Sequence, residues 1–163
     1  MILTACVSLL VVLVCIDMGI KQYIEDNYEE NEEHETVIPG VLIRKVYNKG
    51  FAFNILDRCP EVIKQSSVCS SVGIVLYDFF VFLRKGRKMC KLGMTLVTAG
   101  AVSNIYDRLI REKVIDYIGV KSKNSYVSKL TANFADIYIV LGMMIVSLSR
   151  ITNRKKKRQK GRG

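Results

Sequence analysis

The chain has 163 residues, half of them apolar, with 25 Lys and Arg against 15 Asp and Glu and a formal net charge of +10. On a soluble domain so basic a balance points to nucleic acid, but here eight basic and no acidic residues fall in 150–163, five and none in 84–91, and seven of the fifteen acids in 25–35. Long, nearly uncharged runs separate these blocks, which excludes a soluble nucleic-acid-binding domain and points to an α-helical polytopic membrane protein.

In chain order, the first apolar run, 1–20, carries one charge, Asp17, and predicts a membrane helix over about 1–22. Leu3-Thr4-Ala5-Cys6 has the form of a lipoprotein cleavage site, but no basic segment precedes it, so a helix is preferred to a signal peptide. The acidic run follows. Residues 37–55 are rich in β-formers, with turn signals at Pro39-Gly40 and Asn48-Lys49-Gly50, and predict a small β-rich outer subdomain over about 35–58. The next apolar runs predict helices over about 66–83 and 92–110; the latter is weakened by two glycines, a serine and an asparagine. Residues 114–127 predict a short extended segment. The last helix is expected over about 133–151, followed by a basic tail, 152–163. An 18-residue helix is roughly 27 Å long, near the roughly 30 Å of a hydrocarbon core. Four spans place the 84–91 loop and the tail on one side. Both are basic, so that side is cytoplasmic, as is the N-terminus. The 163 residues form one membrane domain, and nothing demands more than a monomer.

Ionisable and amide side chains are costly near a bilayer and mark function. Here they gather at the outer helix ends. Asp17 and Lys21 stand i,i+4 on helix one, and Gly100, Asn104 and Arg108 follow at i+4 steps on helix three. Asn133 and Asp136 open helix four, and Asp116 lies in the outer segment before it. Each has a plainer reading: an interfacial ion pair for Asp17 and Lys21, a snorkelling anchor for Arg108, helix capping for Asn133 and Asp136. Their convergence at one depth favours chemistry. Two carboxylates in a partly dehydrated site cannot both ionise cheaply, so one is left as acid and one as base, able to activate water without a metal. The five cysteines form no CxxC pair and His34 is the only histidine, so no metal and no cofactor is expected. The competing class is a non-enzymatic four-helix membrane protein, an ion or proton relay or an assembly subunit.

The motifs resemble those of the lipoprotein signal peptidase (signal peptidase II) family, in order along nearly the whole chain. Asp17…Lys21 resembles D-x-x-x-K. Asn48-Lys49-Gly50-Phe51-Ala52-Phe53 resembles N-x-G-A-A-F, with Phe51 for Ala. The run from Gly100 to Arg108 resembles G-A-x-G-N-x-x-D-R, with Ser103 for Gly. Val114-Ile115-Asp116-Tyr117 resembles V-V-D-F, and Asn133-Phe134-Ala135-Asp136 resembles N-x-A-D. The resemblance implies an aspartyl endopeptidase of the bacterial cytoplasmic membrane, multi-pass, with its active site near the outer face. Its substrate would be a lipid-modified prolipoprotein, cut just before the diacylglyceryl-bearing cysteine, and membrane lipids would be its other partners. By position Asp116 and Asp136 match the catalytic pair. Asn48, Gly50, Gly100, Asn104, Arg108, Asn133 and Ala135 match supporting and substrate-contact positions, as do Asp17 and Lys21.

Overall fold

A computed structural model describes residues 2–48, 60–83 and 86–160. In chain order the elements are helix α1 (Ile2–Asn27), strands β1 (Glu33–Glu35) and β2 (Val41–Asn48), helix α2 (Pro60–Leu83), helix α3 (Lys88–Tyr106) with a π-helical turn (Asp107–Arg111), strand β3 (Val114–Val120), a short helix α4 (Ser125–Ser128), strand β4 (Thr131–Ala132) and helix α5 (Phe134–Lys160). The architecture is mostly helical with one small antiparallel sheet. Among the described residues, two helices are long and apolar enough to cross a membrane, Ile2–Asn27 and Phe134–Asn153, and α2 has a shorter apolar stretch, Val68–Leu83.

Helix α3 sits between the others. It packs along α5, α1 and α2, and twelve of its residues are buried, from Cys90 to Asn104. This accounts for its weak hydropathy: an interior helix needs small residues for close packing rather than large ones for lipid. Gly93 and Gly142 face each other, and a Cβ on Gly93 would stand 2.8 Å from the Gly142 carbonyl oxygen. Large apolar side chains instead point outward on α1 (Val7, Val11), α2 (Phe79, Phe80) and α5 (Leu141, Met144), as a lipid-facing surface requires.

The two outer loops build one sheet, in the order β1-β2-β3-β4. Gly40, at φ 86°, turns the chain from β1 into β2. The β2–β3 register shifts between Ile43 and Val46, beyond which Val46 pairs with Asp116. Ile115 and Tyr117 are buried with Ile24, and Ile20 and Phe134 close this core, so the sheet stands on the C-terminal end of α1 and the N-terminal end of α5.

The acidic run contributes strand β1, where a loop was expected. Glu33 pairs with Arg44 at 2.8 Å, Glu35 with Lys121, and Glu25 with Lys113 at 3.4 Å. The acids are thus partners of bases on β2 and around β3. Helix α1 also runs five residues past its expected end. Helix α5 continues to Lys160, through the segment expected as a tail. Charge ends an apolar span without ending a helix, because Lys, Arg and Gln are good helix formers.

Candidate active site

Helix α1 delivers two ionisable side chains one turn apart to the centre of the bundle at its sheet end. Lys21 Nζ lies 2.8 Å from Asp17 and 2.9 Å from Asp107, and all three side chains are fully buried. It also donates to Asn104 Oδ1 at 2.9 Å and reaches Ser103 Oγ at 3.4 Å. Ser103 donates to Asp17 at 2.5 Å. The Tyr117 hydroxyl and the Ala135 backbone N–H donate to the other Asp17 oxygen at 3.1 and 3.2 Å. Asp107 has a second cation, Arg111, at 2.9 Å. Two carboxylates thus meet two cations, with hydrogen bonds satisfying the oxygens that remain. Such closure makes a buried charge cluster tolerable. Burial first, then the Asp17 charge, pushes the Tyr117 phenol above its ordinary range and keeps it a donor.

Beside this cluster lie Asp116 and Asp136, held by amides. Asn48 Nδ2 donates to Asp116 Oδ2 at 3.0 Å and Asn133 Nδ2 to Asp116 Oδ1 at 2.7 Å. Asn104 Nδ2 donates to Asp136 Oδ1 at 2.9 Å, and the Asn133 backbone N–H to Asp136 Oδ2 at 3.1 Å. The Asp136 N–H returns a bond to Asn133 Oδ1 at 3.0 Å, which makes a reciprocal cap at the start of α5. Capping and convergence are therefore one arrangement: Asn133 caps the helix and touches both carboxylates. Asn104 links the pair to the ion cluster, donating to Asp136 while accepting from Lys21 and, at 3.3 Å, from Asn133. Asp116 is pushed up to about 7, by burial first and the Asp136 charge second, against the pull of Asn48, Lys21 and Asn133. At neutral pH it holds a proton part of the time, which a water-activating carboxyl pair needs.

The remaining expected residues fall as follows. Gly100 meets Ala135: a Cβ there would stand 2.2 Å from the Ala135 carbonyl oxygen, so this contact sets how closely Asn104 approaches Asp136. Arg108 lies in the π-helical turn, within electrostatic reach of Asp116, Asp136 and Asp107. Gly50 lies outside the described residues. Asp17 and Lys21 do not form an interfacial pair; they are interior, with partners from α3, β3 and α5. Sequence reasoning missed Asp107 and Tyr117. The signal for Asp107 was its place four residues after Ser103 and three after Asn104, on the helix face that meets Lys21. The signal for Tyr117 was the alternation of strand β3, which puts its side chain on the core face beside Ile115.

Comparisons with known proteins agree in coverage. The family model described as Signal peptidase (SPase) II matches residues 9–152. A lipoprotein signal peptidase of Lactobacillus gasseri is 33% identical over 142 residues, 86% of this chain and 86% of that protein. One from Fusobacterium nucleatum is 28% identical over 155 residues, 94% of this chain and 90% of that protein. A bacterial membrane enzyme solved by the in meso method at 2.3 Å resolution shares the fold, with a TM-score of 0.81 at 19% identity over 94% of this chain and 92% of that one.

Proposed function

The chain belongs to the signal peptidase II family, aspartic peptidases that remove the signal peptide from prolipoproteins, and on that premise we propose that Asp116 and Asp136 are its catalytic pair. The observation that carries this is the contrast in their surroundings: Asn48, Asn104 and Asn133 clamp both carboxylates by hydrogen bonds, while Lys21 and Arg111 pair with Asp17 and Asp107. Two carboxyls held this close in a buried site share a proton and titrate as a unit. The ionised member takes a proton from a water as that water attacks the scissile carbonyl. The protonated member donates to the carbonyl oxygen and stabilises the tetrahedral intermediate. A proton then passes to the leaving amine and the pair is reset. The family membership does not favour the non-enzymatic reading.

The finer topology belongs to the same proposal. Four helices, α1, α2, α3 and α5, cross the membrane, with the basic residues 84–91, the end of α5 and the N-terminus on the cytoplasmic side and the sheet outside. The site then lies at the outer face of a bacterial cytoplasmic membrane. The diacylglyceryl chains and the signal helix stay in the bilayer against the bundle while the bond before the lipidated cysteine reaches the pair. The protein acts as a monomer. Arg108, beside both carboxylates in charge terms, positions substrate carbonyls.

The test is cleavage of a diacylglyceryl-modified prolipoprotein by purified protein. Asp116→Asn and Asp136→Asn each abolish cleavage while the protein elutes and melts as the parent does, and a chelator leaves the parent's rate unchanged. Normal cleavage by either variant overturns the pair; loss of activity with the chelator argues for a metal instead.

A further inference from the structure

A cavity of about 480 Å³ opens on the outer side of Asp116, and the reaction as written does not use it. Asp116, Asn48 and Val46 line it from the sheet, and Tyr126, Lys129 and Leu130 from the segment between β3 and β4. The two walls are tied together: Arg44 on β2 donates to the Ser128 carbonyl at 3.0 Å and to Thr131 Oγ1 at 2.6 Å. The cavity is thus built into the sheet rather than opened between loose loops.

We propose that this cavity receives the first residues of the mature polypeptide, those just after the lipidated cysteine, and that Lys129 gives it a preference for acidic side chains there. The inference rests on Asp116 belonging to the catalytic pair. Asp116 is common to the cavity and the pair, so a chain segment in the cavity is continuous with the scissile carbonyl. Of the substrate's parts, the signal helix and the acyl chains are apolar and leave along the lipid-facing helices. Only the mature segment is polar enough to pass the sheet. Its walls suit that segment, with Val46 and Leu130 for aliphatic atoms and Asn48 and Tyr126 for polar ones.

The charge argument comes from the cations around the sheet, most of which have an ion-pair partner, whereas Lys129 on the cavity wall and Lys123 outside it have none among the described residues. Arg44, Lys45, Arg111, Lys113 and Lys121 each have a carboxylate partner from this chain. Lys129 is exposed and makes no ion pair among the described residues. A cation on the wall of a substrate cavity, with no ion pair among the described residues, is left for the substrate to neutralise.

The experiment uses synthetic diacylglyceryl lipopeptides spanning the cleavage site, with Asp, Asn or Lys at each of the three positions after the cysteine. At low ionic strength kcat/KM falls in the order Asp, Asn, Lys at one or more positions, by about threefold per step, as for a solvent-accessible pair. Added salt flattens the order, Lys129→Gln abolishes it, and Lys129→Glu reverses it. Lys123→Glu makes the same change in net charge outside the cavity and leaves the order intact. No preference in the parent, a preference that survives Lys129→Glu, or the same reversal by Lys123→Glu overturns the inference. Failure of the catalytic pair shows differently, as cleavage of all these peptides by Asp116→Asn.

Discussion

Two carboxylate centres share the outer end of the bundle and are held in opposite ways. Asp17 and Asp107 are met by Lys21 and Arg111, with Ser103, Tyr117 and a backbone N–H completing the shell of Asp17. Asp116 and Asp136 are met by the amides of Asn48, Asn104 and Asn133. A carboxylate closed by a cation is committed to that ion pair, so it serves the fold. A carboxylate oriented by neutral donors beside another carboxylate keeps a proton in play, so it can serve the reaction. Asn104 touches both centres, which lets the rigid one aim the reactive one.

The largest break in that comparison is at the reactive centre. Asp136→Asn keeps the shape, removes the second carboxylate and lowers cleavage by about 10³-fold or more, read as single-turnover cleavage of lipidated substrate with folding checked by melting. The converse is expected at the rigid centre: Lys21→Met leaves the buried Asp17 without a cation, Asp107 keeping Arg111, and costs about 3–5 kcal/mol, measured as a fall in unfolding free energy in detergent. Adding Asp17→Asn to Lys21→Met recovers part of that loss; additive costs would mean the two residues are not coupled. A smaller effect tests the link between the centres. Gly100→Ala forces a methyl against the Ala135 carbonyl oxygen, so α3 and α5 part. Stability drops by about 1–3 kcal/mol, and kcat falls more than KM rises because Asn104 is drawn away from Asp136.

Much of this arrangement was legible in the chain, but only where contacts are local. The i,i+4 step from Asp17 to Lys21 and the i,i+3 step from Asn133 to Asp136 declare shared faces, and both pairs make contact. What Lys21 meets across the bundle was not legible, since Ser103 and Asn104 lie 82 and 83 residues away and no spacing rule spans that. Asp107 was legible by the same local rule, since it stands i+4 from Ser103 and i+3 from Asn104 and shares their partner Lys21. Strand β1 is hidden because its residues, Glu-His-Glu, are placed by pairing with β2 and by Arg44 and Lys121, without apolar alternation. Low hydropathy in α3, read as a weak span, is the mark of a helix surrounded by other helices.

The mildest test asks whether the two centres titrate differently. With Asp116 held at about 7, the pair keeps its shared proton below that pH and loses it above, so cleavage declines as pH rises through about 7. The Asn48 amide favours the ionised form of Asp116. Asn48→Ala therefore raises the Asp116 pKa, and the alkaline limb of the kcat/KM profile moves to higher pH, by about one unit for a hydrogen bond worth about 1.4 kcal/mol. Ser103→Ala also deletes one hydrogen bond to a buried carboxylate, Asp17, but that carboxylate remains 2.8 Å from Lys21. It costs about 1 kcal/mol of stability and leaves the limb in place. Equal shifts in the two variants would erase the distinction between the centres. An unmoved limb in Asn48→Ala would mean that another group sets it.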